Sequence, residues 1–295
     1  MLAALIAIPN LILSLVLFFL AYNETLPDSL KWIGVVPLAI GVGSFIIRHG
    51  LNEWWYAKHP PGLSEKEKNI LAMFFPYYRE LNIRLKTEFE NRLSIFRMQK
   101  SFQMRLLKKV PGDLQLLVCA TGIQLTMGES YQKEFLKNLG MVVLFPKEFI
   151  TPDINTQLHH VEVNRDVFDC LLLSIDYFSK GLKNPQNYYN SGIHGMAKIL
   201  KLERGIHDHD IPYDGDPKEL LVHLHHVRDF KIGYQFLYTG LGQMEVFEMA
   251  SEHFFTCPNT LKEQLPNVYD YLMDIYQQDP SNVRNPIIQD ISTNT

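Results

Sequence analysis

The sequence contains little cysteine, no excess of basic residues and no repeated or low-complexity segment. Its three cysteines, Cys119, Cys170 and Cys257, are far apart and lack the paired spacing of zinc ribbons, which favours free thiols in a reducing compartment. The 28 basic and 32 acidic residues give a net charge of −4 and form no basic stripe. These absences disfavour a zinc ribbon and a nucleic-acid partner.

Charged side chains are also missing from the start of the chain, where residues 2–22 contain none. About 20 helical residues cover a hydrocarbon core of about 30 Å, so this stretch is long enough to span a membrane. A second uncharged stretch, residues 32–47, is Gly-rich and short for a span. Aromatic anchors accompany it at Trp32, Trp54, Trp55 and Tyr56. The pattern predicts two transmembrane helices that form a hairpin over residues 1–50.

The distribution of charge around the hairpin predicts its orientation. Its connecting segment is mainly acidic, whereas basic residues follow the second stretch, at Arg48, Lys58, Lys66 and Lys68. By the positive-inside rule we expect both ends of the hairpin, and the soluble domain, on the cytoplasmic side of the plasma (inner) membrane. A cleaved signal peptide is an alternative, although the segment has no basic n-region and no small-residue cleavage site. A buried core hairpin is another.

The remaining chain is predicted to be an α+β domain in which helices predominate. Residues 51–65 are predicted to be a juxtamembrane linker, residues 66–280 the soluble domain and residues 281–295 a polar tail. Apolar spacing predicts helices before residue 97, over 113–126, and at about 188–204, 217–237, 244–256 and 260–277. Strands are predicted at 141–146, 158–164 and 170–176, which together favour a small mixed sheet.

The segment HGMAK at residues 194–198 places His194 and Lys198 on one helical face, four residues apart. In the HExxH motif, two histidines at this spacing bind zinc, and the Glu between them takes the proton of the zinc-bound water. Here Gly195 stands at the Glu position and Lys198 at the second His position. A lone histidine is more often a hydrogen-bonded structural residue than a ligand.

Longer segments make the comparison with HExxH worthwhile. FFPYYRELNIRLKTEFENRLSIF, MVVLFPKEF, SGIHGMAKIL, MEVFEMASEHFF and LPNVYDYLMDIYQQDP occur in this order over roughly residues 70–280. This sequence resembles the Mlc titration factor A family of zinc metallopeptidases, which implies a zincin-like fold of the gluzincin type and a zinc cofactor. The resemblance implies His194 and Glu245 as metal ligands and Tyr238 as a residue at the reaction centre. Asn190 and Lys198 are candidate binding residues.

Two departures from the family motif shape the functional prediction. Without a Glu at 195 the general base is missing, and a Lys at 198 has no lone pair for a metal while protonated. We therefore predict that the Lys198 ammonium pairs with Glu245 in place of a metal. The alternative is that Lys198 is an incidental surface residue. Glu245, Glu248 and Glu252 share a helical face at a spacing that is usually a solvated stripe, but the resemblance favours a buried Glu245.

These observations favour a membrane-anchored binding or regulatory module that is catalytically impaired, with the lipid bilayer as one partner. A peptide or protein in the former substrate cleft would be the second. One alternative is an active peptidase with a rearranged site, for which Glu203 as base and His207 as ligand are candidates. Another is a membrane-organising protein. A substitute metal site in HDHD (207–210) or HLHH (223–226) has no established ligand spacing. His159 and His160, adjacent in a strand, face opposite sides.

Overall fold

The computed structural model describes residues 2–30, 32–105, 109–129, 136–151, 154–159, 161–164, 170–185, 187–227, 245–282 and 287. The chain divides into two compact units, Met1–Pro61 and Gly62–Thr295. Tyr238 and His160 lie outside the described residues, as do residues 228–244 around Tyr238.

The first unit contains three helices, α1 (Leu2–Tyr22), α2 (Val35–Ile46) and α3 (Arg48–Lys58). α1 is long and apolar enough to cross a membrane, as both a membrane anchor and an N-terminal signal sequence would be. α2 has 12 residues, a length of about 18 Å that is short of a hydrocarbon core of about 30 Å. The second uncharged stretch is thus short, as expected, and it reaches the length of a span only together with α3, from which α2 is bent by 82°. α3 also occupies much of the segment predicted as a linker.

The second unit is rich in helices and contains a small mixed sheet, which confirms the predicted class. Its helices are α4 (Glu65–Phe74), α5 (Pro76–Glu80), α6 (Ile83–Gln99), α7 (Gly112–Thr126), α8 (Ile175–Lys183), α9 (Ser191–Arg204), α10 (Pro217–Val227), α11 (Val246–Thr256), α12 (Pro258–Gln264) and α13 (Pro266–Tyr276). Its strands are β1 (Ser101–Met104), β2 (Met141–Phe145), β3 (Phe149–Thr151), β4 (Ile154–His159), β5 (Val161–Asn164) and β6 (Cys170–Ser174).

The sheet has the strand order β1-β2-β6-β5. β1, β2 and β6 are parallel, and β5 is antiparallel to β6, with Val161 opposite Leu173. β3 and β4 form a separate antiparallel pair. The predicted strand over 158–164 is therefore divided between two strands that pair with different partners.

Local sequence explains where several helices begin. Ser64 and Glu67 form a capping box at the start of α4, and the Asn82 side chain accepts from the Leu85 amide at 3.0 Å to cap α6. The single helix predicted over 260–277 is two helices. Pro266 has no amide hydrogen to continue α12 and stands at the first turn of α13, where proline is favoured.

The core of the second unit surrounds α7, which is buried on most of its faces as its apolar sequence predicts. The C-terminal end of the domain reaches into this core through Gln278, which is fully buried. Its side-chain amide donates to the carbonyls of Gln124 (2.9 Å) and Leu125 (3.2 Å), and its side-chain oxygen accepts from the Tyr77 hydroxyl (2.8 Å). One side chain thus connects α5, α7 and the end of α13.

Candidate functional site

Helix α9 carries the HGMAK segment and is buried from Ser191 through Leu200. It begins where the Asn190 side chain accepts from the amide of Ile193 at 3.2 Å, and it ends at Gly205, whose φ of +63° is the left-handed C-terminal cap that glycine favours. Within this continuous helix His194 and Lys198, four residues apart, lie on the same face.

His194 and Lys198 both point to Glu245, which immediately precedes α11. The Lys198 ammonium lies 2.8 Å from Oε1 of Glu245, and Nε2 of His194 lies 3.0 Å from Oε2. The predicted ion pair between Lys198 and Glu245 is therefore present, and the interpretation of Lys198 as a surface residue is wrong, because only 4% of Lys198 is exposed. His194, Lys198 and Glu245, the three residues that the family resemblance assigns to one site, are thus in contact in the structure.

Glu162 on β5 is a fourth member of the site that sequence reasoning missed. Its Oε1 lies 2.9 Å from the Lys198 ammonium, which therefore bridges two carboxylates. The alternation of Val161, Glu162 and Val163 marks the residue as the polar member of an apolar strand. Its partner on α9 is 36 residues away in sequence, however, and spacing alone does not connect the two.

Charge balance sets the ionisation of this cluster. Burial disfavours the charged form of Glu245, but the neighbouring Lys198 ammonium and His194 lower the pKa of its carboxyl well below its usual range. Burial likewise disfavours the Lys198 ammonium, but Glu245 and then Glu162 raise the pKa of Lys198 above its usual value. At neutral pH the site therefore contains an ammonium between two carboxylates.

The position of Gly195 is tightly packed. A Cβ atom there would lie 2.7 Å from both Cδ1 of Leu171 and Cγ2 of Val161, because α9 lies directly on β5 and β6 at this point. The resemblance expects a catalytic Glu at this position. The present packing has no space for such a side chain unless neighbours in the sheet move.

A second ion cluster lies one turn further along α9. The Lys201 ammonium is 2.7 Å from Asp208 and 3.2 Å from Glu248. Glu248 is buried, which raises the pKa of its carboxyl above the usual value despite the nearby Lys201. Glu252 is also fully buried, and its Oε1 accepts from the backbone amide of Asn190 at 3.3 Å. A solvated stripe at 245, 248 and 252 is therefore the wrong interpretation, since this side of α11 packs against α9.

Other candidate residues lie apart from the His194 cluster or outside the described chain. Glu203 accepts from the backbone amide of Asn138 at 2.7 Å, and the His207 ring stacks on the ring of His209 with a centroid separation of 5.1 Å. Asn190, besides capping α9, lines a cavity of about 260 Å³ at the start of that helix. The role predicted for Tyr238 stays a prediction.

The donor set of the site can be compared with the needs of zinc. Zinc in proteins takes three or four ligands from Cys, His, Asp and Glu. Among the described residues no three such side chains converge as a metal site requires. The position of the second histidine ligand is occupied by Lys198, whose ammonium has no lone pair for a metal and lies 2.8 Å from Oε1 of Glu245. As described, these side chains do not fit zinc.

Comparison of the sequence with known proteins identifies a family. A sequence model described as glucose-regulated metallo-peptidase M90 matches residues 51–218, which includes β5 and all of α9 and ends before Glu245. No curated protein matches the sequence significantly. The family is one of zinc metallopeptidases of the Mlc titration factor A type, the resemblance expected from the sequence. Because the match covers more than half of the 295 residues, the chain belongs to the glucose-regulated metallo-peptidase M90 family.

Proposed function

We propose that this chain is a membrane-anchored, catalytically impaired member of the metallopeptidase family that acts as a binding or regulatory module. The observation that carries the proposal is the Lys198 ammonium, 2.8 Å from Glu245 and 2.9 Å from Glu162. A buried cation held by two carboxylates supplies the positive charge that a metal would supply in an active relative.

The chemistry of peptide hydrolysis supports this proposal. Proton transfer by a positioned base typically contributes about 100- to 10,000-fold to the rate. Gly195 provides no base, and a side chain in its place would require Val161 and Leu171 to shift. A protonated lysine has three donors and no acceptor, so it neither binds a metal nor activates water. The motif HGMAK is therefore interpreted as a degenerate HExxH.

We infer that a peptide or protein ligand would bind in the former substrate cleft. β5 stands at the end of the described strand order β1-β2-β6-β5, and a ligand strand would add at this edge. An extended peptide can bind by adding to such an edge through main-chain hydrogen bonds. Glu162, which belongs to β5, would then connect the ligand edge to the Lys198 cluster.

The first unit supports membrane anchoring. α1 passes the length and hydropathy requirements of a span, and its surface exposes large apolar side chains such as Leu15 and Phe19. α2 returns along α1, since the Ser14 hydroxyl donates to the Gly34 carbonyl at 2.9 Å and the Ala3 amide to Asn52 at 3.1 Å. Both ends of the hairpin then lie on one side of the membrane. The basic residues that follow favour the cytoplasm for that side.

Metal content and peptide cleavage test the proposal together. We expect the purified full-length protein to contain no stoichiometric zinc by elemental analysis and to cleave no peptide of a random library with or without added zinc. We expect Lys198→His, which replaces the ammonium by a third ligand, to gain zinc. Lys180→His is the matched control, because Lys180 is half exposed and pairs only with Asp176 among the described ion pairs.

The opposite result is equally clear. One tightly bound zinc in the unaltered protein, with hydrolysis that a chelator abolishes, would show an active peptidase with a rearranged site and would overturn the proposal.

A further inference from the structure

Helix α3 turns away from the hairpin at the point where the hairpin ends. The bend between α2 and α3 is 82°, so the axis of α3 is almost perpendicular to that of α2. α3 remains close to the beginning of α1, because the side chain of Asn52 accepts from the Ala3 amide at 3.1 Å. The helix therefore crosses the end of the hairpin.

α1 and α2 are packed closely along their length, which makes this end well defined. Gly41 lies so near α1 that a Cβ atom there would be 3.0 Å from Leu11 Cγ and 3.3 Å from the Ala7 carbonyl oxygen. Ala3, Ala7 and Ser14 are the buried residues of α1. Where α1 crosses the bilayer, its first turn marks the boundary between hydrocarbon and headgroups.

The side chains of α3 differ from those of α1 and α2. α3 contains Arg48, Trp54, Trp55 and Lys58, whereas residues 2–22 contain no charged side chain. Trp54 is 53% exposed, and the Lys58 ammonium lies 4.5 Å from the centre of its ring. Tryptophan rings concentrate at the membrane interface, and basic side chains next to them reach the headgroups. The composition of α3 is thus typical of a helix at a membrane interface.

We propose that α3 is an interfacial helix that lies along the membrane surface at the end of the hairpin, with Trp54 and Trp55 at the boundary between headgroups and acyl chains. This inference rests on the proposed membrane anchor. In it, α2 is the short second helix of the hairpin, and α3 is the surface helix that follows it. Its ligand is the lipid surface itself. Because the basic residues are few, binding depends mainly on the aromatic side chains and only weakly on salt.

Depth-dependent fluorescence quenching tests the inference on the full-length chain. The chain contains three tryptophans, so Trp32→Phe leaves Trp54 and Trp55 as the only emitters. This variant is reconstituted in vesicles of phosphatidylcholine with a minor fraction of phosphatidylglycerol. Separate preparations contain phosphatidylcholine brominated near the carbonyl end or near the methyl end of the acyl chain. We expect the larger loss of emission with bromine near the carbonyl end.

The other outcomes separate this inference from the anchor on which it rests. A larger loss with bromine near the methyl end would place α3 inside the hydrocarbon core and overturn the inference. No loss in a protein that floats with the vesicles would place α3 in water, which also overturns the inference but leaves the anchor intact. A protein that does not float with the vesicles would refute both. The Trp54→Phe, Trp55→Phe double variant, which emits from Trp32 alone, controls for the other end of the hairpin.

Discussion

The ammonium of Lys198 and the carboxylate of Glu245, 2.8 Å apart, join the middle of helix α9 to the start of helix α11. The side chains of both residues are largely removed from water, at 5% and 18% exposure. An ion pair in such a place is costly to break from one side, because the remaining charge has no solvent to compensate it. This relationship is the source of the first prediction.

We expect Lys198→Met to destabilise the protein by about 3 kcal/mol, since it removes the ammonium that bridges Glu162 and Glu245. Urea unfolding of the variant and the unaltered protein measures the difference. Lys180→Met is the control, because the exposed pair of Lys180 and Asp176 contributes at most about 1 kcal/mol. Adding Glu245→Gln to Lys198→Met should recover part of the loss. If the two substitutions are simply additive, the residues are not coupled.

Stability should fall in mild acid because of His225. Burial, followed by repulsion from His253 and His226, lowers the pKa of His225 to about 4 from an ordinary value of 6.5. The unfolded chain therefore takes up a proton at His225 before the folded protein does, and stability decreases as the pH falls from about 6.5 to 4. Urea midpoints across this range should decline less in His225→Gln than in the unaltered protein.

The ion pair at the candidate site should contribute to this decline only at its acid end. Because the pKa of Glu245 is lowered in the folded protein, its contribution is lost from its ordinary value of 4.5 downward, and the contribution of Lys198, whose pKa is raised, is lost only above its ordinary value of 10.5. His209→Gln is the control for His225→Gln, since 74% of the His209 side chain is exposed. An equal pH profile for both histidine variants would contradict the assignment to His225.

Restoring a carboxylate at position 195 should damage the fold before it restores any chemistry. Gly195→Glu places atoms where Leu171 and Val161 already lie, and overpacking of this kind costs typically about 1–3 kcal/mol. Thermal unfolding should show a lower midpoint for Gly195→Glu than for the unaltered protein. Gly43→Ala is a matched substitution with no atoms within 4 Å of the added Cβ. Unchanged stability in Gly195→Glu would mean that the sheet yields easily.

Substitutions of Asn190 test whether its side chain stabilises the start of α9. We expect Asn190→Ala to lose about 1 kcal/mol of stability, because its side chain caps α9 through the Ile193 amide. Asn190→Ser keeps an oxygen that can cap the helix and should retain most of that stability. Chemical denaturation distinguishes the two variants. Equal losses in Ala and Ser variants would show that capping is not what the asparagine contributes.

Much of the second unit was predictable because its elements have strong local signals. Helix α7 and the strands β2 and β6 follow from the apolar pattern of the sequence, whereas the single helix predicted over 260–277 overlooks the break that Pro266 makes between α12 and α13. The pairing of Lys198 with Glu245 was predictable because Lys198 stands where the family has a metal-binding histidine, and its ammonium can replace the charge of the metal. Each of these inferences needed only the residues nearby in sequence or one known motif.

Other features depended on contacts between distant parts of the chain. Glu162 enters the site from an edge strand, and nothing in the spacing of residues 162 and 198 brings them together. The burial of Glu248 and Glu252 results from the packing of α11 on α9, whereas their helical spacing alone is typical of an exposed face. The length of α2 depends on where the chain bends between α2 and α3, and hydropathy does not show a bend.

The contacts of Gln278 can form only late in biosynthesis. Its contacts reach back 201 residues to Tyr77 and 154 residues to Gln124, so the ribosome must make almost the whole chain before they can close. At about 5–20 residues per second, the emerging domain lacks this final connection for most of its synthesis. The N-terminal apolar helix leaves the exit tunnel long before that moment. Membrane targeting can therefore begin while the domain that follows is still incomplete.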